Sequence, residues 1–452
     1  MSKRNFILLI ITLFLALIIF FGFLYFSADK NPAPGDTEGT NFLSQFNPFG
    51  SGGTKPTNTP PPPVDVSGYQ PAPIPDMTAR LKKVSSMPVA GFTVYSKERL
   101  VDVPVPTPVT LEPTPEDSET TEKTTPKVQK PTPPLTEFAP TLRYAARVDG
   151  NIYQTFADKI EERRFSTTVI PKIYEALFGS KGESVVLRYL AEDGKTVATF
   201  IGRLPKEILA GDTTEDNELK GFFLPEDIKD VSMSTDGSSL FYLFNVGENA
   251  VGATLNFATN KKTQIFTSPF TEWLSTFPNG KTITLTTKPA SIVPGYMYTV
   301  NNSGKSLMAQ ALGEINGLTT LASPSGQFIL YADSNLSLNA ERTDTRTSGP
   351  IGVKTLPEKC VWGSVSDVVY CSVPKNIPAG EYPDSWYQGE ASFSDQIWRI
   401  DITTGNATMV ADLSSIEDGE DIDGIKLALD KDETFLFFVN KKDSFLWELQ
   451  LK

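Results

Sequence analysis

The stretch STDGSSLFYLF (residues 234–244) decides the fold, because its plan returns later in the chain. A turn of small and polar residues that contains a glycine is followed, two or three residues on, by large apolar residues typical of a β-strand. FPNGKTITLTT (277–287) and SPSGQFILYAD (323–333) share this plan. The turn glycines of the three copies lie 43 and 46 residues apart. One four-stranded propeller blade commonly takes about 40–45 residues.

Looser copies of the same plan extend the repeat in both directions. They are SKGESVVLRYL (180–190), GSVSDVVYCSV (363–373) and LDKDETFLFFV (429–439). From residue 141 onward, short apolar runs alternate with Gly, Pro, Asn, Asp or Ser, and a helical period of useful length is missing from this part of the sequence. The sequence therefore predicts a large all-β domain.

The repeated turn resembles the S-P-D-G-x-x-[IL]-x-[YF] signature of TolB-type and WD40-like β-propeller proteins, and the copies together cover residues 140–452. The chain departs from the signature at the acidic position, where Asp236, Asn279 and Ser325 stand, and it lacks the Trp-Asp dipeptide. The resemblance implies a β-propeller and a general binding platform, and it carries over no catalytic residue. Counting strands predicts seven four-stranded blades; six or eight stay open, because blade two lacks a clear outer strand.

A strand-like segment, ARLKKVSSMPVAGFTVYS (79–96), lies between two proline-rich tracts. Its order of residue types matches that of residues 162–178: a basic pair, an apolar residue, two small hydroxyl residues, a proline and an apolar strand. We therefore expect residues 80–86 to form the outer strand of the last blade and residues 89–96 the innermost strand of blade one. This closure would remove an exposed sheet edge. The alternative is an apolar piece of linker.

The N-terminus carries an uncharged apolar run from Phe6 to Phe26, preceded by Lys3 and Arg4. Such a run is long enough to cross roughly 30 Å of hydrocarbon as a helix. The positive-inside rule then places the N-terminus in the cytoplasm and the bulk of the chain outside the cell membrane. A cleaved signal peptide would have a shorter apolar region that ends in small residues. We therefore expect residues 1–28 to be a cytoplasmic tip and an uncleaved single-pass transmembrane helix.

Most of the 35 prolines lie between residues 29 and 140, mixed with Thr, Ser, Gly and Glu. Such a composition buries too little apolar surface to offset chain entropy. We expect residues 29–78 to be a disordered Pro/Thr-rich stalk with polyproline II character. The propeller then spans residues 79–452, with a disordered insertion at about 97–139.

The formal net charge is −13, and the chain has no histidine. An acidic protein without a concentrated basic surface is a poor nucleic-acid binder. Ser-His-Asp and Cys-His catalysis and the usual zinc sites require histidine. We therefore predict no catalytic residue, metal or cofactor from sequence motifs. Catalysis by carboxylates alone stays open, because Asp and Glu are abundant.

The only cysteines, Cys360 and Cys371, flank a turn in KCVWGSVSDVVYCSVP. A hairpin about Val365 and Ser366 places them opposite each other on neighbouring strands, at a separation that a disulfide can bridge. An oxidising compartment would favour this bond. The alternatives are two buried thiols or a metal pair, and we predict a structural disulfide.

One long insertion, KNIPAGEYPDSWYQGEASFSD (375–395), interrupts the sixth predicted blade between its second and third strands. Aromatic side chains beside carboxylates suit a sugar face or a protein hot spot. The alternative is that the aromatics hold the loop on the propeller, and both roles are compatible. The candidate binding residues are Tyr382, Trp386, Tyr387, Glu381 and Asp384, with Glu390 nearby.

The acidic stretch SSIEDGEDIDG (414–424) only partly fits a calcium loop. Asp421, Asp423 and Asp430 stand at ligand spacing, but Gly419 occupies the first position and flanking helices are not predicted. A solvated turn between blades is the interpretation we adopt.

The sequence thus predicts a membrane-anchored, extracytoplasmic β-propeller that acts as a non-enzymatic binding or scaffold protein of the cell envelope. Its expected partner is a protein or a glycan, with no nucleic acid, and its N-terminal helix contacts the membrane. The alternative function is a carboxylate-dependent hydrolase that acts on glycans.

Overall fold

The computed structural model describes residues 81–101, 135–207, 217–303, 308–365, 367–416 and 419–452. The predicted transmembrane helix, the predicted stalk and most of the predicted insertion lie outside these residues. In the part of the chain that is described, no helix is long and apolar enough to cross a membrane.

Seven four-stranded antiparallel sheets make up the fold, which confirms the predicted all-β propeller and its blade number. The first strand of a blade contacts the first strand of the next, as β2 does with β6 and β26, so these strands surround a central channel. In blade one the strands are β2 (Val89–Leu100), β3 (Thr136–Ala146), β4 (Ile152–Phe156) and β5 (Arg163–Arg164). In blade two they are β6 (Ile173–Gly179), β7 (Ser184–Leu190), β8 (Val197–Arg203) and β9 (Lys220–Phe223).

The remaining blades follow in chain order. Blade three has β10 (Asp230–Met233), β11 (Ser239–Val246), β12 (Asn249–Asn256) and β13 (Lys262–Ser268), and blade four has β14 (Trp273–Thr276), β15 (Thr282–Thr287), β16 (Pro294–Asn301) and β17 (Ala309–Asn316). Blade five has β18 (Thr319–Ala322), β19 (Phe328–Ala332), β20 (Ser337–Arg342) and β21 (Thr347–Lys354), and blade six has β22 (Cys360–Trp362), β23 (Val368–Pro374), β24 (Asp395–Asp401) and β25 (Ala407–Asp412). Blade seven has β26 (Gly424–Leu429), β27 (Phe435–Asn440) and β28 (Leu446–Gln450), completed by β1 (Leu81–Lys83). Among the described residues, a short helix, α1 (Asp384–Tyr387), and 3-10 turns at Ser180–Gly182, Pro357–Lys359 and Leu413–Ser415 lie between strands.

Serine and glycine build the repeated turn between the first and second strands. In blade three, the Gly237 N–H donates to the Ser234 carbonyl, and the Ser234 Oγ accepts from the backbone N–H that opens β11. Blade five repeats both bonds with Gly326 and Ser323. Gly237 and Gly326 have φ of 68° and 73°, a left-handed conformation that favours glycine. The repeat in the sequence is therefore a repeat of turn chemistry.

Blade seven is closed by the N-terminal strand. β1 pairs with β28 in antiparallel register, with Leu81 opposite Leu449, and the Val84 N–H donates to the Leu446 carbonyl at 2.8 Å. Leu81 and Val84 are buried. The predicted closure is therefore present, and the outer edge of β28 is covered.

Two boundaries differ from the sequence expectation. β2 and β3 stay paired as far as Leu100 and Thr136, so residues 97–100 and 136–139 belong to strands rather than to the insertion. Opposite-charge pairs at the exposed end of this hairpin, such as Arg99 with Glu137 at 2.7 Å, extend it. Blade two has an outer strand, β9, although its sequence, KGFF, shows no clear strand signal.

The predicted disulfide is present between Cys360 and Cys371, which are opposite residues of β22 and β23. It joins the innermost strand of blade six to the second strand of the same blade. A cross-link over so short a loop contributes about 2–3 kcal/mol by limiting the unfolded chain.

A buried carboxyl lies in the sheet that closes the ring. Glu448 on β28 is 1% exposed and stands opposite Lys82, and in the described part of the chain its Oε2 has no hydrogen-bond partner. Burial raises the pKa of Glu448 to about 8, and Lys82 opposes this shift. A group whose pKa is higher in the folded state binds its proton more tightly there, so this stabilisation is lost as the pH rises.

We predict that Glu448→Gln stabilises the fold more at about pH 8 than at about pH 4.5, because the glutamine never ionises. Thermal unfolding across this pH range measures the difference in Tm between the variant and the wild type. The matched control is Glu420→Gln, since Glu420 is an exposed carboxylate that pairs with Lys83. Parallel curves for Glu448→Gln and the wild type would contradict the prediction.

Candidate functional site

In an antiparallel blade, the segment that joins two blades and the loop between the second and third strands lie at the same end. We call this end the blade-joining face. It contains the long insertion predicted at 375–395, of which residues 375–394 run from β23 to β24 and Asp395 is the first residue of β24. The candidate site is this face together with the mouth of the channel that opens there.

Two of the predicted binding aromatics are packing residues. Tyr382 and Trp386 are 5% and 3% exposed and belong to a cluster with Leu336, Leu356 and Phe393. The Trp386 and Phe393 rings stack with their centroids 6.3 Å apart. These aromatics hold the insertion on the propeller, which is the alternative that the sequence left open.

Beneath these rings lies a buried charge triad, formed by Lys359, Asp395 and Asp423. The Lys359 Nζ donates to Asp395 Oδ2 at 2.7 Å and to Asp423 Oδ1, and all three side chains are fully buried. Lys359 lies between blades five and six, Asp395 begins β24 of blade six, and Asp423 directly precedes β26 of blade seven. The triad therefore links three neighbouring blades. A buried ion pair of this kind is costly to break, because removing one partner leaves an uncompensated charge.

The triad also positions the insertion. Asp423 Oδ2 accepts hydrogen bonds from Trp386 Nε1 and from the Phe393 N–H, both at 3.0 Å. The Lys441 Nζ lies 4.7 Å from the centroid of the Trp386 ring and donates to the Trp386 carbonyl. The helix α1 is therefore held by Asp423 and by Lys441.

The predicted carboxylates of the insertion have different surroundings. Asp384 opens α1 and reaches blade four, where its Oδ2 accepts a hydrogen bond from the Ser291 N–H at 2.6 Å. Glu381 and Glu390 are exposed. Asp384 therefore links the insertion to the loop between β15 and β16, which contains two exposed apolar residues, Ile292 and Val293.

Tyr387, the last of the predicted aromatics, lies at the channel mouth. Its hydroxyl donates to Glu358, and both side chains line a cavity of about 190 Å³ together with Asp230. Burial raises the pKa of Glu358, which its bond with Tyr387 opposes. Burial also raises the pKa of Asp230 to about 6, although the Ser275 N–H and Oγ both donate to it.

Cations accompany the carboxylates deeper in the channel. Glu175 accepts from Arg188 at 2.5 Å, and Arg188 also donates to the Ile228 carbonyl. The Lys426 Nζ donates to the Ala90 carbonyl at 2.8 Å, and burial lowers the pKa of this lysine. The channel is therefore a mixed-charge site.

Exposed apolar side chains lie on the blade-joining face of blades one to four. Phe270 is 70% and Ile292 78% exposed. The segment that presents Phe270 is held in place, because its carbonyl accepts from the Trp273 Nε1 at 2.7 Å and its ring contacts the Trp273 edge. The members of this set that lie in loops or at a strand end, which we call the apolar rim, are Val148, Val169, Val246, Phe270, Ile292 and Val293.

Other cavities lie on the opposite face. One is an apolar channel mouth of about 620 Å³ whose lining includes Phe277, Leu321 and Trp362. A second lies between blades one and two, also has a volume of about 620 Å³, and contains Arg143 and Glu207, which form an ion pair. A third, of about 820 Å³, lies at the end of blade one. None of these three cavities contains a residue predicted from sequence to bind a ligand.

The acidic stretch before β26 is engaged in the fold. Asp423 belongs to the triad, Asp421 accepts from Lys442 at 2.6 Å, and Asp430 accepts from the backbone N–H groups of Thr434 and Phe435. Within the described ranges, no group of three or more Asp, Glu or Cys side chains comes together in a way that could hold a metal ion.

The sequence did not single out Glu358, Asp230 or the apolar rim. Glu358 precedes a three-residue strand and Asp230 opens a four-residue strand, too short for alternation to show which side chains face the channel. The rim residues are isolated in loops or at a strand end, where a single apolar residue is normal. Only the shared face of the ring brings them together.

The sequence matches no known protein family and no curated protein at significant similarity. Solved structures with a similar fold include an oligogalacturonate lyase in complex with manganese, at 9% identity and a TM-score of 0.47. Another is the oligogalacturonate lyase of Vibrio parahaemolyticus, at 10% identity and a TM-score of 0.47. Each comparison covers 69% of this chain and 86% of the other. We draw no conclusion about activity from a likeness of this degree.

We predict that Trp386→Ala lowers the free energy of unfolding by about 3–5 kcal/mol, because it removes a buried ring and a partner of Asp423. Tyr387→Ala, one residue along the same helix, should cost only about 1–2 kcal/mol, since its side chain is 39% exposed and its main loss is the hydrogen bond to Glu358. Urea unfolding of both variants measures the contrast. Equal losses would show that the buried cluster does not hold the insertion.

Proposed function

We propose that this protein is a membrane-anchored, extracytoplasmic binding or scaffold protein of the cell envelope that holds a protein partner on its blade-joining face. The observation that carries the proposal is the apolar rim: six exposed apolar side chains in the loops and at a strand end of four neighbouring blades. Exposed apolar groups gathered on one face are typical of protein interaction sites.

The chemistry of the rim favours a protein over a glycan. Its members are mostly aliphatic, whereas a sugar site needs polar groups that pair with hydroxyls beside an aromatic ring. Burying one large apolar side chain in an interface yields about 1.5–3 kcal/mol, so two or three rim residues can act as a hot spot. Ile292 is also pre-ordered, because the neighbouring Ser291 N–H is bound by Asp384.

Two further observations support the proposed location. The run from Phe6 to Phe26, preceded by Lys3 and Arg4, has the composition of a membrane anchor with a cytoplasmic N-terminus. The disulfide between Cys360 and Cys371 is a bond that persists in oxidising compartments outside the cytoplasm.

The test places a photoreactive phenylalanine analogue at Ile292 or Phe270 of the full chain in its own cells. We expect both positions to cross-link to the same discrete protein, and a neighbouring Val293→Asp change to weaken this adduct by about tenfold or more. The matched control is the analogue at Val365, which is 62% exposed on the opposite face. Adducts only at Val365, or none at either rim position, would contradict the proposal.

A second candidate function is a carboxylate-dependent hydrolase that acts on glycans. The observation that favours it is the pair Glu358 and Asp230, two carboxyls with raised pKa values that line one channel cavity. A general acid needs such a raised pKa.

The leading proposal predicts that the full-length protein in detergent releases no more product from a panel of envelope glycans than Glu358→Gln does. If the wild type releases product and both Glu358→Gln and Asp230→Asn do not, the binding proposal is contradicted and the protein is a hydrolase. Reducing-end assays of the three proteins, with folding checked by circular dichroism, make this comparison.

A further inference from the structure

The buried charge triad holds a lysine amine and an aspartate carboxyl in direct contact away from water. We propose that the side chains of Lys359 and Asp395 condense spontaneously and form an intramolecular amide bond. Asp423 transfers the protons in this step. The product is a covalent link between the side chains of two residues on either side of the insertion.

Geometry places the reacting groups together. The Lys359 Nζ lies 2.7 Å from Asp395 Oδ2, and both side chains are 0% exposed. Groups held at contact distance react as if at very high concentration, because their encounter no longer costs translational entropy. The lysine lacks room to leave, since the Trp386 and Phe393 ring centroids lie 5.5 and 5.3 Å from its Nζ.

The surroundings favour the uncharged forms that an amide requires. In water, an ammonium and a carboxylate do not condense, because both are ionised and water competes. Burial disfavours charged groups, so a proton transfer between lysine and aspartate costs less inside the protein. The aromatic cover also keeps bulk water away from the product.

The two aspartates differ in a way that assigns their roles. Asp423 uses both oxygens: Oδ1 accepts from Lys359, and Oδ2 accepts from Trp386 Nε1 and the Phe393 N–H. Both of its oxygens are therefore occupied as hydrogen-bond acceptors. Asp395 uses Oδ2 for Lys359 and the Gly424 N–H, while its buried Oδ1 has no hydrogen-bond partner among the described residues.

Asp395 is therefore the electrophile. Its unpartnered Oδ1 is the oxygen that can hold a proton and leave. Burial raises the pKa of Asp395 to about 6, in the direction of the protonated acid, although Lys359 opposes the shift. Asp423 is within hydrogen-bond reach of the nucleophile and is the proton acceptor of the step.

The step balances without an oxidant or a co-reactant. The neutral Lys359 amine attacks Cγ of the protonated Asp395 carboxyl, and the Nζ–Cγ bond forms. Asp423 accepts a proton from Nζ and returns it to the departing hydroxyl, and the Cγ–Oδ1 bond breaks. One water molecule leaves. The triad carries one net negative charge before the reaction, and the Asp423 carboxylate carries it afterwards.

A second Lys–Asp pair on the same blade provides an internal control. Lys375 and Asp412 also form an ion pair, but their side chains are 23% and 24% exposed and the pair is open to water. Proximity without burial should leave this pair as two free side chains.

The experiment is mass spectrometry of the full-length chain, purified folded in detergent, then reduced and denatured. We expect the wild type to be lighter than its sequence by the mass of one water. Proteolysis should yield one peptide pair joined through Lys359 and Asp395, and no pair joined through Lys375 and Asp412. A wild-type chain at full mass with unlinked peptides would overturn the proposal and leave the triad as a buried ion pair.

Variants separate the roles of the two aspartates. Lys359→Arg and Asp395→Ala should show the full mass of their sequences. Asp423→Asn should reduce the linked fraction several-fold, since the proton carrier is lost. Asp395→Asn should still link, releasing ammonia in place of water, and reach the same final mass as the wild type. A water loss that persists in Lys359→Arg would overturn the assignment, and the wild-type measurement decides the proposal even if a variant fails to fold.

Discussion

A ring of sheets has to join its two ends, and the rest of this structure depends on how that join is made. The three strands at the end of the chain, β26 to β28, lack an outer partner, and β1 supplies it from the other end of the domain. An open propeller would leave β28 with unpaired backbone groups and would expose apolar side chains such as Leu449. Closure also places β2 directly after β1, so one continuous segment ends the last blade and begins the first.

The closed ring creates the two settings in which function can arise. One is the blade-joining face, where loops that are far apart in sequence lie side by side and their isolated apolar residues become a rim. The other is the channel, where short inner strands contribute Glu175, Asp230 and Lys426, and the insertion of blade six adds Tyr387. The buried charge triad links these settings, because it holds α1 and, through Asp384, the loop that presents Ile292.

Sequence reasoning succeeded where the physical cause is local. The repeated turn depends on a serine and a glycine at fixed spacing, and the disulfide depends on two cysteines opposite each other in a hairpin. It was less successful with the insertion. The residue type of an amphipathic aromatic does not predict whether its side chain is buried or exposed. Only the packing in the folded protein distinguishes Tyr382 and Trp386, which are core residues, from Tyr387, which lines the channel.

Local chemistry along the chain thus determined the β-strands, the blade repeat, the number of blades, the disulfide and the strand exchange that closes the ring. Each of these depends on residues that are neighbours in sequence or that share a repeated pattern. The tertiary structure decided which side chains meet across blades. Lys359 and Asp423 come from two different connections between blades and Asp395 from the start of β24, and their spacing in the sequence carries no period that predicts a contact. Their encounter depends on the curvature of the closed ring, which brings the ends of blades five, six and seven to one buried point.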